Sequence, residues 1–177
     1  MSSQVALILA GRAVQHAAGL VGAGMQHHHE HKLTQIRAAV VEMMTGKVTV
    51  FQLVTIKELG QFVLNLMAEE HMLFRQEYAL DKAAYRATTD VVQRAELNSS
   101  IDKAATQMSR VREHATAFHS AIAMLLGRAA EQIMGFTSDI SLRMPAELTA
   151  PEPLPVIDAV PSIPANDNDA DDAEVSR

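Results

Sequence analysis

The chain has 177 residues, 48% of them hydrophobic but only 4% aromatic, with no Trp and no Cys. That is long enough for one domain with a real core of Leu, Ile, Val, Ala and Met, and it excludes a disulfide framework, a thiolate metal site and a cysteine nucleophile. The net charge of −6 is uneven: residues 1–144 carry fourteen bases and thirteen acids, whereas residues 145–177 carry one base and eight acids, so the body lacks the concentrated basic surface that binding nucleic acid requires.

Residues 3–25, "SQVALILAGRAVQHAAGLVGAGM", predict a Gly/Ala-rich apolar helix. Arg12, Gln15 and His16 fall on one side of it. Small residues recur four apart at Ala6 and Ala10, Ala13 and Ala17, and Ala18 and Gly22, a spacing that lets two helix backbones approach closely. Three uses stay open for residues 5–25: a membrane span, a helix lying on a membrane, or a tightly packed helix within the bundle or between subunits. The length suffices for a span, but Arg12 would cost about 2.5–3.5 kcal/mol near the bilayer centre. No cationic stretch precedes the first apolar run, which predicts no secretory signal and a cytoplasmic protein, with membrane association open as an alternative.

Next comes "HHHEH", His27 to His31 around Glu30. On a helix, His27 and His31 share one face, and an i,i+4 histidine pair can hold zinc or nickel through two imidazoles. Extending the apolar stripe Leu33–Ile36–Val40 backwards turns that pair towards solvent, where it would need a second subunit to complete a site. His29 falls on the core side.

Leu33, Ile36, Val40 and Met43 predict a helix ended at Thr45-Gly46, with Gly46 suited to a left-handed C′ position. "KVTVFQLVTIKELG" is β-branched enough for a strand, yet Thr49 with Gln52 and Thr55 with Glu58 are capping boxes, so it reads as a helix start. Leu59, Phe62/Val63, Leu66/Met67 and Leu73/Phe74 continue as a core stripe, opposite Glu58, Gln61, Asn65 and Glu69. The pattern then runs to about Leu142, with a weak break at "LNSSID" where Ser99 or Ser100 would cap a new helix. Beyond it Ile101, Met108, Ala115, Ile122 and Ala129 repeat every seven, interleaved with Val111, Phe118 and Leu125. That spacing suits a helix of an antiparallel bundle.

All six prolines lie between Pro145 and Pro164. Residues 145–177, Pro-rich and then Asp-rich, predict a disordered tail. Within it "LPVIDAVPSIP" reads as a stiff linker or a short docking motif.

The whole is therefore expected to be all-α: a helical bundle built from an antiparallel hairpin and a long C-terminal helix over residues 26–144, preceded by the Gly/Ala-rich helix (1–25) and followed by the tail (145–177). His29, Glu70 and His119 approach its interior from three helices as a candidate metal site, with His71 or water as a further ligand. The bland alternative pairs Glu70 with His29 at the rim or leaves it in solvent. Di-iron chemistry is rejected because no Glu-x-x-His occurs. There is no phosphate loop, nucleophile elbow or His-Glu-x-x-His either. The expected function is non-enzymatic: self-association, or contact with a protein partner or membrane through the N-terminal helix. The alternatives are a metal-binding helical protein and a membrane-inserting one.

Overall fold

The computed structural model describes residues 7, 8, 10–14, 16, 17, 30–133 and 135–150. The protein is all-α, and the described residues contain no strand. Among the described residues, four helices follow the N-terminal helical residues: α1 (Glu30–Thr45), α2 (Val50–Ala87), α3 (Val91–Ala130) and a single turn, α4 (Ala146–Thr149). The central helix is α2, which packs on α1, α3 and α4.

The α1–α2 turn resolves the ambiguous "KVTV" stretch in favour of a helix. Thr49 accepts from the Gln52 amide at 3.2 Å and Gln52 Oε1 accepts from the Thr49 amide at 3.0 Å, a complete capping box. Gly46 does not take the left-handed conformation expected of it; among the described residues only Gly135 has a positive φ, 74°.

The second hairpin turns at Thr88–Asp90, not at Ser99–Ser100. Asp90 caps α3 by accepting from the amides of Val92 (2.8 Å) and Gln93 (3.2 Å), and Arg94 Nε donates to the Thr88 carbonyl at 2.8 Å. Ser100 instead lies inside α3, and its hydroxyl donates across the hairpin to Asp81 at 2.6 Å. The heptad positions from Met108 to Ala129 are buried as their spacing predicts, with Phe118 and Ile122 fully covered.

The helical pattern does not continue to Leu142. α3 ends at Ala130, and Gly135 supplies the left-handed residue where the chain reverses. The following segment runs along α2 in the same direction. Lys57 Nζ donates to the Asp139 carbonyl at 2.7 Å. Four residues further along both segments, the Gln61 side chain pairs with the Arg143 backbone. Leu142 and Leu148 are buried in the main core, so packing extends past the expected boundary at Pro145. The tail from residue 151 lies outside the described residues.

Of the N-terminal segment, Leu7, Ala10, Gly11, Val14 and Ala17 are buried against the bundle, while Arg12 and His16 are exposed. Gly11 allows the close approach: a Cβ there would collide with Met44 Sδ and stand 3.3 Å from Val40 Cγ1. No helix among the described residues is long and apolar enough to cross a membrane.

Candidate interaction surface

The sequence-derived ligands are placed as follows. His27 and His29 lie outside the described residues. His31 is exposed on α1, 3.1 Å from Gln35 Nε2, which donates to the ring when that nitrogen is unprotonated. Glu70 is half-buried on α2, and desolvation raises its pKa above the ordinary 4.5. His119 is half-buried on α3, its Nε2 3.3 Å from the Leu142 carbonyl.

Glu70 and His119 stand at different levels of the hairpin. Gly60 abuts Ile122. Glu70 is ten residues beyond Gly60, and His119 only three residues from Ile122 in the same direction, which separates their levels by about 10 Å at 1.5 Å per residue. Among the described residues, no three His, Asp or Glu side chains are grouped to hold a metal ion. His71, considered above only as a further ligand, is buried on the inner side of α2 in the turns between Met67 and Tyr78.

The feature that sequence reasoning missed is the orientation of α2. Its inner side is formed by Gly60, Leu64, Met67, His71 and Tyr78. Part of the expected core stripe instead points outwards: Phe62 is 43% exposed and Leu73 64% exposed. Leu80, at 71%, continues the same line. At 100° per residue, Phe62, Leu73 and Leu80 fall within about 20° of one another, opposite Met67, His71 and Tyr78. This helix thus carries large apolar side chains on two opposite sides, the outer line being interrupted by Glu69. By contrast α3 presents Ser99, Lys103, Thr106, Arg110 and Glu113 to solvent, as a helix buried on one side should.

Acids border the outer line. Glu69 is exposed within it, and Glu70 and Glu77 follow one edge. Along the other edge lies an open cleft of about 590 Å³, formed by Asn65, Ala68, Glu69, Met72, Leu73, Pro145 and Glu147. No Lys or Arg lines it. Lys82 is turned away from this face, 3.3 Å from the Tyr78 hydroxyl and over its ring.

The end of the cleft is fixed from α3. Arg112 Nε donates to the Leu148 carbonyl at 3.1 Å, and Arg112 Nη2 donates to that of Ala150. The cleft wall is therefore tied to both long helices. The arrangement offers apolar contact area beside fixed negative charge.

Comparison with known proteins finds no matching family, no matching curated protein and no matching solved structure.

Proposed function

We propose that this chain is a non-enzymatic helical interaction protein, acting by contact with a protein partner. The observation that carries this reading is the second apolar side of α2. Leu73 and Leu80 stand in water on a long helix whose other side is already packed, and a helix apolar on both sides is ordinarily covered on both. Isolated exposed leucines are common on protein surfaces. A line of them continuing from Phe62, beside an open cleft, is characteristic of a contact site.

Of the small residues of the N-terminal segment, to which the sequence assigned the same role, Ala10 and Ala17 are buried in the bundle and Ala13 packs against it. The outer face of α2 is the better candidate for the contact.

The test is to pan a displayed library of amphipathic helical peptides against the full chain and to re-test the binders on a Leu73→Gln/Leu80→Gln variant. Binders that the variant loses support the reading. An empty selection, or binders indifferent to both substitutions, removes it.

A further inference from the structure

We propose that the outer face of α2 receives an amphipathic helix whose apolar stripe is flanked by Lys or Arg, the partner's charge being set by Glu69, Glu77 and Glu147. This rests on the interaction reading above and adds the partner's chemistry to it.

The face is long enough to seat a partner helix. From Leu73 to Ala87 it extends about 21 Å, the length of a four-turn helix, and the half-buried Leu66 prolongs it towards Phe62, whose ring lies under Lys32 of α1. Leu73 and Leu80 are seven residues apart, so a straight partner helix meets both with side chains at matching spacing. Leu73 also belongs to the wall of the cleft beside α4. An anchor side chain entering there meets Met72 and Ala68, with the carboxylates of Glu69 and Glu147 on the same cleft. A cation at its flank is therefore matched, and an anion is opposed.

The charge pattern decides between occupants. Two copies of this face pair poorly. In an antiparallel pairing the edges carrying Glu70 and Glu77 share one side of the seam. In a parallel pairing, Glu69 of one copy meets Glu69 of the other. The chain's own residues 151–177 carry seven acids and one base, so they meet the same repulsion. An anionic membrane surface does too. Arg75 and Arg86 do not offset these acids, because on the 100° wheel they fall about 140° and 120° from Leu80. The one cation on the outer line among the described contacts, Lys32 of α1, stands over the Phe62 ring at the α1 end, 5.7 Å from its centroid and away from Leu73 and Leu80.

The experiment uses the full chain and two labelled peptides of about twenty residues. Both carry the same leucine stripe; one is flanked by Lys and Arg, the other by Glu. Fluorescence anisotropy reads binding at low and physiological salt, and light scattering reads the oligomeric state. The basic peptide is expected to bind at least about tenfold more tightly than the acidic one, with an affinity that falls as salt rises. Leu73→Gln/Leu80→Gln is expected to weaken it at least about tenfold, as removal of anchor side chains does. Glu69→Gln/Glu77→Gln/Glu147→Gln, which leaves the stripe intact, is expected to erase the preference between the peptides. Melting curves of all variants check that they fold as the parent does.

Equal binding of both peptides, with leucine dependence retained, overturns the charge assignment but leaves the interaction reading standing. So does a leucine-dependent dimer of the chain that excludes the peptides. Basic-peptide binding unchanged by Leu73→Gln/Leu80→Gln is attraction to the acidic tail, and it overturns the proposal. No binding of either peptide overturns it as well.

Discussion

The side chain of Gln61 holds the backbone of Arg143 at both ends of one residue. Its Nε2 donates to the Arg143 carbonyl and its Oε1 accepts from the Arg143 amide, each at 2.9 Å. The two residues are 82 apart in sequence. The primary amide thus acts as a short piece of sheet edge, matching one donor and one acceptor on an extended chain. Lys57, His119 and Arg112 act on neighbouring carbonyls of the same segment. Leu142 and Leu148 fill the space beneath it.

Gln61→Ala is expected to lower the unfolding free energy by about 1–3 kcal/mol, the net worth at a partly wet site of two hydrogen bonds to Arg143 and one to Asn65 Oδ1. Gln61→Glu keeps an acceptor and, while its carboxyl is protonated, an O–H donor, so in acid its loss should be smaller than that of Gln61→Ala. Ionisation should deepen it at neutral pH, where a carboxylate faces the Arg143 carbonyl. Denaturant titration gives the magnitudes. Hydrogen exchange at the Arg143 amide reads the contact itself. An amide that remains as protected in Gln61→Ala as in the parent counts against this account.

The core beneath that segment gives a sharper contrast between positions. Phe118 is fully buried in α3, and Phe118→Ala is expected to cost about 3–5 kcal/mol. Leu80→Ala, by comparison, removes a mostly exposed side chain and is expected to change stability by less than about 0.5 kcal/mol. Thermal melts of the two variants side by side test whether the inner and outer sides of α2 and α3 are assigned correctly. A large cost at Leu80 in a monomer would mean that this residue is covered.

That distinction marks where the sequence was legible. The α3 heptads were readable because Met108, Ala115, Ile122 and Ala129, with Val111, Phe118 and Leu125, offer one apolar side and no competing one. In α2 there are two. The expected stripe Leu59, Phe62/Val63, Leu66/Met67, Leu73/Phe74 drew on both: Val63 and Met67 are buried and Leu59 and Phe74 pack against the core, whereas Phe62 and Leu73 point outwards. The winner is set by α3 in space, where Gly60 admits Ile122 to 3.3 Å of a would-be Cβ. The Asp90 cap was present in the sequence as Thr-Thr-Asp before a Val pair, but a regular apolar pattern on both sides obscured it. The Gln61–Arg143 contact had no local signal at all, since its partners meet only through the tertiary fold.

Gly11 tests whether the N-terminal segment is as close to α1 as its burial implies. A Cβ there meets Met44 at its Cγ, 2.7 Å away, and at Sδ, with Val40 Cγ1 just beyond. The Met44 side chain is flexible and half-exposed, so it can swing aside. Gly11→Ala should therefore lie within about 1 kcal/mol of the parent, a helix-propensity gain offsetting the displacement. Gly11→Leu cannot be accommodated by Met44 alone and is expected to cost about 1–3 kcal/mol. If Gly11→Leu melts with the parent, the segment is not held against Met44.

Glu70 provides a test by pH. Its pKa is raised because burial disfavours the charged carboxylate. The folded state therefore binds this proton more tightly than the unfolded chain. The linked stability is fully present below the unfolded value of 4.5 and is lost as pH rises through the higher folded value. At neutral pH the folded protein carries a partly desolvated charge that Glu70→Gln removes. The variant should then melt above the parent at pH 7. The gap should be below about 1 kcal/mol, because solvent still reaches a half-buried carboxylate and screens it. It should shrink as pH falls through the folded pKa and close below 4.5. Asp139 shifts the other way, held low first by the Ser141 hydroxyl and then by its amide. Acid should therefore loosen the Asp139–Ser141 turn while it relieves Glu70, and the difference between Glu70→Gln and parent isolates Glu70. A gap independent of pH would show that charge desolvation is not what sets the behaviour of this residue.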